Sequence, residues 1–149
     1  MCRWVPPDNI VRWRSAGVSA LNKTIDKVPF APAHLALPRS NLAKVAAAWT
    51  PLLIGTDVAL PGILPGISTQ MELALYAEAG LSPKNILRAA TANAAKFAGM
   101  AWEFGTIETG KSADLILLDA DPTVDIANTR MIRQVIRAGV LVAGPESKE

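Results

Sequence analysis

The chain has 149 residues and a mass of 15.8 kDa, a length that suits one compact domain and allows a sizeable core. Half of it is hydrophobic, 19% is charged, the formal net charge is +2 and the mean hydropathy is +0.25, which excludes a largely disordered chain. One cysteine, Cys2, and one histidine, His34, exclude an internal disulfide framework and a structural zinc site of nitrogen and sulfur ligands.

Residues 1–40 read as an irregular entry segment broken by Pro6-Pro7, Pro29, Pro32 and Pro38, with room for one short helix around 10–15. Its aromatic residues Trp4, Trp13 and Phe30 need a surface to pack against, so the segment lies over a larger body or has lost one. The opening MCRWVPPDN lacks the apolar middle of a secretory signal. No run of about 18 apolar residues follows, so the expected compartment is cytoplasmic by default, with no membrane partner. Residues 1–50 carry seven basic side chains against Asp8 and Asp26, and the remainder eight against eleven acidic ones. That asymmetry hints at an acidic partner, but no specific nucleic acid is indicated.

From Asn41 the pattern sharpens. A helix over 42–49, built on Leu42, Val45, Ala46 and Trp49, is stopped by Thr50-Pro51. The continuous apolar run Leu52-Leu53-Ile54, ending at Gly55-Thr56-Asp57, predicts a strand buried on both faces, as in a parallel sheet. A glycine- and proline-rich loop, 59–66, leads to a helix starting at Ser68 or Thr69. There Thr69 and Glu72 have capping-box spacing, Met71, Leu75 and Ala79 form the apolar stripe, and Gly80 is the stop. A second helix starts at Ser82-Pro83, buries Ile86, Leu87, Ala90 and Phe97, and ends at Gly99.

Beyond residue 103 the period becomes strand-like. Phe104 to Ile107 and Asp114 to Asp119 are predicted strands joined by a hairpin at 108–111. Ile132 to Arg137 and Val140 to Val142 form a second pair around the tight turn Ala138-Gly139. The tail, 145–149, is expected to fray.

Four features are candidates for chemistry. Gly105 to Ser112 (GTIETGKS) matches the phosphate-loop pattern letter for letter, but that loop works by opening a helix, and here Ala113-Asp114-Leu115-Ile116 favours a strand. The bland alternative is a turn with a solvated Lys111. His34, between prolines and without neighbouring carboxylates, reads as a surface or hydrogen-bonding residue. The Trp/Arg mixture at 3–14 suits packed tryptophans and solvated arginines better than base stacking. Asp57 closes a buried strand and precedes a glycine-rich loop, where parallel α/β folds place their chemistry; a turn or cap aspartate is the alternative.

An ordered set of motifs carries a resemblance. Ile54-Gly55-Thr56-Asp57, PGILPG, Met71-Glu72-Leu73 through Ala79-Gly80-Leu81-Ser82-Pro83, Ala89-Ala90-Thr91-Ala92-Asn93, Gly105-Thr106-Ile107-Glu108 with Gly110-Lys111 and Ala113-Asp114-Leu115, and Asp121-Pro122 with Asp125-Ile126 occur in sequence. Across about 41–142 they resemble the C-terminal portion of the metal-dependent amidohydrolase superfamily, in its imidazolonepropionase-like and zinc-prolidase-like branch. The resemblance implies an α/β architecture: the incomplete end of a (β/α)8 TIM barrel over 41–102, after the entry segment 1–40, then C-terminal strands of a flanking β-sandwich over 103–149. It implies that Asp57, at the end of the eighth barrel strand, ligates a divalent metal, commonly zinc. It also implies that Asp57 carries the proton from the attacking water to the leaving group.

Departures from the family pattern are large. The family needs a His-x-His pair, a bridging lysine or glutamate and two further histidines, whereas His34 matches none of these positions and Gln70 stands where relatives often carry histidine. A full barrel takes about 250 residues, so the chain looks like the last third of an amidohydrolase, starting at a methionine inside the parent pattern. The expectation is a fragment of a hydrolase acting on C–N bonds of cyclic amides or dipeptides. Alone it is inactive and does not bind its metal tightly, and its partner is a second chain supplying the other barrel strands, or a copy of itself. The alternatives are a non-catalytic interaction module pairing through an exposed barrel edge and, more remotely, a nucleotide-binding protein using residues 105–112.

Overall fold

The computed structural model describes residues 33–57 and 63–144, with side chains from residue 38 onward. The short helix expected at 10–15, Cys2, the aromatic residues before residue 32, loop residues 59–62 and the tail at 145–149 lie outside the described residues.

Helix α1, Ala33–Ala47, begins well before the expected start near Asn41 and runs through Pro38. An interior proline removes one helical hydrogen bond, but Leu42 and Ala46 of the same helix pack on the core, and such tertiary packing overrides local propensity. Trp49 was expected on the buried face. It instead lies beyond the helix end at φ 60, 93% exposed.

Residues 51–57 run extended but join no ladder among the described residues, so the strand expected at 52–54 has no pairing partner there. Leu52, Leu53 and Ile54 are half-buried. Helix α2, Ile67–Glu78, has no side-chain cap bond. The expected capping box does not form: Ser68 Oγ accepts from Leu64 N, and Glu72 is engaged elsewhere. The buried face also differs from the expected stripe. Leu73 is 5% exposed, whereas Met71 is 57% and Leu75 40% exposed; of the predicted residues only Ala79 lies against the core. Gly80, at φ 91, ends α2 as expected: its N–H reaches Ala77 O and the next N–H, of Leu81, reaches Tyr76 O.

The predicted second helix is two. Ser82 Oγ accepts from Asn85 N at the start of α3, Pro83–Ala90, as its serine–proline signal demands. The helix breaks at Thr91 (φ −126, ψ −87), whose hydroxyl donates to Leu87 O at 2.7 Å, and α4 covers Ala92–Phe97. The break rotates the C-terminal half, so Phe97 is 81% exposed while Ala89 and Ala95 are buried.

Residues 104–107 form no strand, so the predicted hairpin at 108–111 is a turn only, closed by Lys111 N to Glu108 O at 3.2 Å. The sheet consists of β1, Leu115–Leu118, β2, Ile132–Arg137, and β3, Val140–Ala143, antiparallel in that order. Leu115 faces Ile136 and Arg137 faces Val140. Ala138 and Gly139 both have positive φ, 48 and 79, as a two-residue hairpin turn requires. Asp114 Oδ1 accepts from Ala138 N at 2.6 Å and holds that strained alanine in place.

The core is Leu73, Leu81, Ile86 and Ile126, lined by Leu42, Leu52, Ile54 and Tyr76. Ile126 enters it from a short 3-10 helix, Ile126–Arg130, capped by Asp125 Oδ1 accepting from Ala127 N. No sheet residue is buried, and Ile116 (59%) and Val140 (63%) stand open. A sheet this small needs another layer to bury a face.

Candidate functional site

The extended segment ending in Asp57 is fixed by side chains where neighbouring strands would otherwise serve. Asn93 Nδ2 of α4 donates to Leu52 O at 3.0 Å, Tyr76 Oη of α2 donates to Leu53 O at 2.7 Å, and Gly55 N donates to Glu72 Oε1 at 3.1 Å. Backbone groups taken out of water need partners, and these three bonds meet part of that need along the segment. Burial, and secondarily the nearby Glu72 carboxylate, push the Tyr76 hydroxyl above its ordinary pKa of 10.0. Tyr76 therefore stays a proton donor to Leu53 at neutral pH.

Asp57 emerges at the end of this clamped segment, exposed, with its backbone at φ 50. Aspartate tolerates the left-handed region better than most residues. The expectation that Asp57 ligates a metal finds no supporting cluster: among the described residues no group of three or more His, Cys, Asp or Glu side chains converges. A lone carboxylate does not hold a divalent ion tightly, so the described residues do not fit a metal centre. His34 falls on α1, and Gln70 is bonded to the 3-10 helix, its Oε1 accepting from Thr129 Oγ1 at 2.7 Å.

Other motif residues act as fasteners. Lys111 Nζ bonds Thr106 Oγ1 at 2.5 Å and pairs with Glu108 at 3.1 Å, and the next element is β1 rather than a helix. The geometry of a phosphate loop is therefore absent. Asp121 Oδ1 accepts from Thr123 N at 2.7 Å, closing the turn that leads to Ile126.

By spacing Glu72 is a capping residue, and Tyr76 and Asn93 carry no expected role. The available signal was polar side chains interrupting apolar helix faces: Glu72 and Tyr76 lie one helical turn apart on α2, on the side that carries Leu73.

The profile of the amidohydrolase family matches residues 4–142. Over 89 residues the chain is 37% identical to the imidazolonepropionase of Thermoanaerobacter pseudethanolicus, covering 59% of this chain and 21% of that protein. Over 116 residues it is 34% identical to the imidazolonepropionase of Shouchella clausii, covering 76% and 24%. Among solved structures, a Bifidobacterium longum protein described as a prolidase superposes with a TM-score of 0.64 at 37% identity, covering 74% of this chain and 27% of that one. The chain thus spans about a quarter of the length of the relatives it matches.

Proposed function

The chain belongs to the amidohydrolase family, and from that premise we propose that it supplies the end of a TIM barrel in a hydrolase of C–N bonds in cyclic amides or dipeptides. Residues 52–57 are then the eighth barrel strand, and the strands from β1 onward are the C-terminal share of a flanking β-sandwich whose other part covers the open sheet. The observation that carries this reading is the placement of Asp57: an exposed carboxylate closing an extended, clamped segment, where barrels place their chemistry.

There the Asp57 carboxylate takes a proton from the attacking water as its oxygen bonds to the carbonyl carbon. It returns that proton to the nitrogen as the C–N bond breaks. The other strands and their histidines lie outside these 149 residues, on a preceding segment or on a second polypeptide, and residues 1–149 by themselves are inactive. The test mixes the purified chain with a polypeptide carrying the preceding strands of a prolidase or imidazolonepropionase relative. Hydrolysis in the mixture, absent from either part and abolished by Asp57→Asn, is expected. Hydrolysis by the chain alone, or a mixture indifferent to Asp57→Asn, overturns the reading. Zinc measured after loading and desalting is expected near zero for the chain alone; one tightly held ion, lost in Asp57→Ala, contradicts it.

The open sheet favours one other reading, self-association. A sedimentation series in which Ile116→Lys converts an oligomer to a monomer supports it, and a monomer at every concentration removes it.

A further inference from the structure

We infer that Glu72 is a positioning residue for Asp57, acting through the backbone amide of Gly55. The inference rests on the reading of Asp57 as a site residue. Of the three clamps, Asn93 and Tyr76 hold the segment at residues 52 and 53, and only Glu72 reaches as far as residue 55, two positions before Asp57. The bond is charge-assisted, since a carboxylate oxygen accepts a peptide N–H. The other oxygen, Oε2, is closed off from solvent and has no hydrogen-bond partner, so the carboxylate's hydrogen bonding is concentrated on that single amide.

Past this point the described residues offer little else to set the carboxylate. A Cβ added at Gly55 would meet nothing within 4 Å among the described residues, so none of them fixes the glycine by steric contact on that side. Thr56 is half-buried, and Asp57 is exposed in the left-handed region. A glycine free to rotate would pass its freedom directly to the two residues that follow. The hydrogen bond from the Gly55 amide to Glu72 restrains that freedom one residue before Thr56.

The experiment is amide hydrogen exchange and NMR chemical shifts on the full labelled chain, in wild type, Glu72→Ala, Glu72→Gln and Asn93→Ala. In Glu72→Ala, Gly55 is expected to exchange about tenfold faster and the Asp57 signals to move, with Ile86 and Ala89 unchanged. Glu72→Gln, which keeps an oxygen acceptor without the charge, is expected to be intermediate, about threefold faster at Gly55. Asn93→Ala is expected to loosen Leu52 and leave Asp57 in place. Unaltered Gly55 exchange, unmoved Asp57 signals, a uniform loss that includes Ile86, or an equal displacement of Asp57 by Asn93→Ala each overturns the inference. If Glu72→Ala lacks a native spectrum, Glu72→Gln decides: a local effect at Gly55 and Asp57 supports the role, and no effect or a uniform one removes it. None of these readouts depends on hydrolysis. A failed reconstitution with an intact clamp therefore counts against the proposed activity alone.

Discussion

Gly105 lies so close to Ala95 that a Cβ on the glycine would sit 2.6 Å from the Ala95 Cβ and 3.1 Å from Thr91 O. This contact seats the segment after α4 directly on the helix, joining the Ala-Thr-Ala-Asn motif at 90–93 to the Gly-Thr-Ile motif at 105–107. Gly105 also has φ +93, so both space and backbone exclude a side chain.

Gly105→Ala is therefore expected to destabilise the chain by about 2–4 kcal/mol, combining overpacking with a strained backbone. Urea unfolding measures it. A loss below about 0.5 kcal/mol, typical of an ordinary surface change, would show that α4 and this segment are not packed as described.

The two apolar residues predicted to share one helical stripe should behave in opposite ways. Ile86 is fully buried and Phe97 is 81% exposed. Ile86→Ala is expected to cost about 2–5 kcal/mol, and Phe97→Ala to stay within about 0.5 kcal/mol. Equal costs in thermal or urea melts would restore a single unbroken helix.

The Tyr76 clamp predicts an alkaline dependence of stability. Its hydroxyl has a folded pKa above the ordinary 10.0, first because of burial and then because of Glu72. The stabilisation is thus complete below the unfolded value and is lost as pH rises through the folded one. Melts between about pH 9 and 12 should fall more steeply for wild type than for Tyr76→Phe; parallel curves would contradict the partly buried donor bond to Leu53.

Asp57→Asn is expected to leave stability within about 0.5 kcal/mol, because the residue is exposed and asparagine suits its backbone. Asp57→Val should cost about 1–2 kcal/mol through the left-handed φ alone. With that pair in hand, a loss of hydrolysis in the reconstituted Asp57→Asn enzyme reports on chemistry and not on folding.

Local chemistry made several elements legible in the sequence. Ser82-Pro83 opens a helix, Gly80 and Gly99 close helices, and Ala138-Gly139 turns a hairpin between strands. In each case a few adjacent residues decide the backbone through a cap bond or a positive φ. Asp57 is singled out in the sequence by its place closing an apolar run, and the structure puts it exposed at a positive φ. Tertiary structure alone decided the rest. Two apolar stripes coexist on α2, and neighbouring elements chose Leu73 over Met71 and Leu75. Glu72, spaced like a capping residue, reached across to Gly55 instead. Residues 52–54 have the composition of a buried strand, but a strand exists only where another backbone pairs with it; among the described residues none does, and the bonds there come from the side chains of Tyr76 and Asn93, 23 and 41 residues away in sequence.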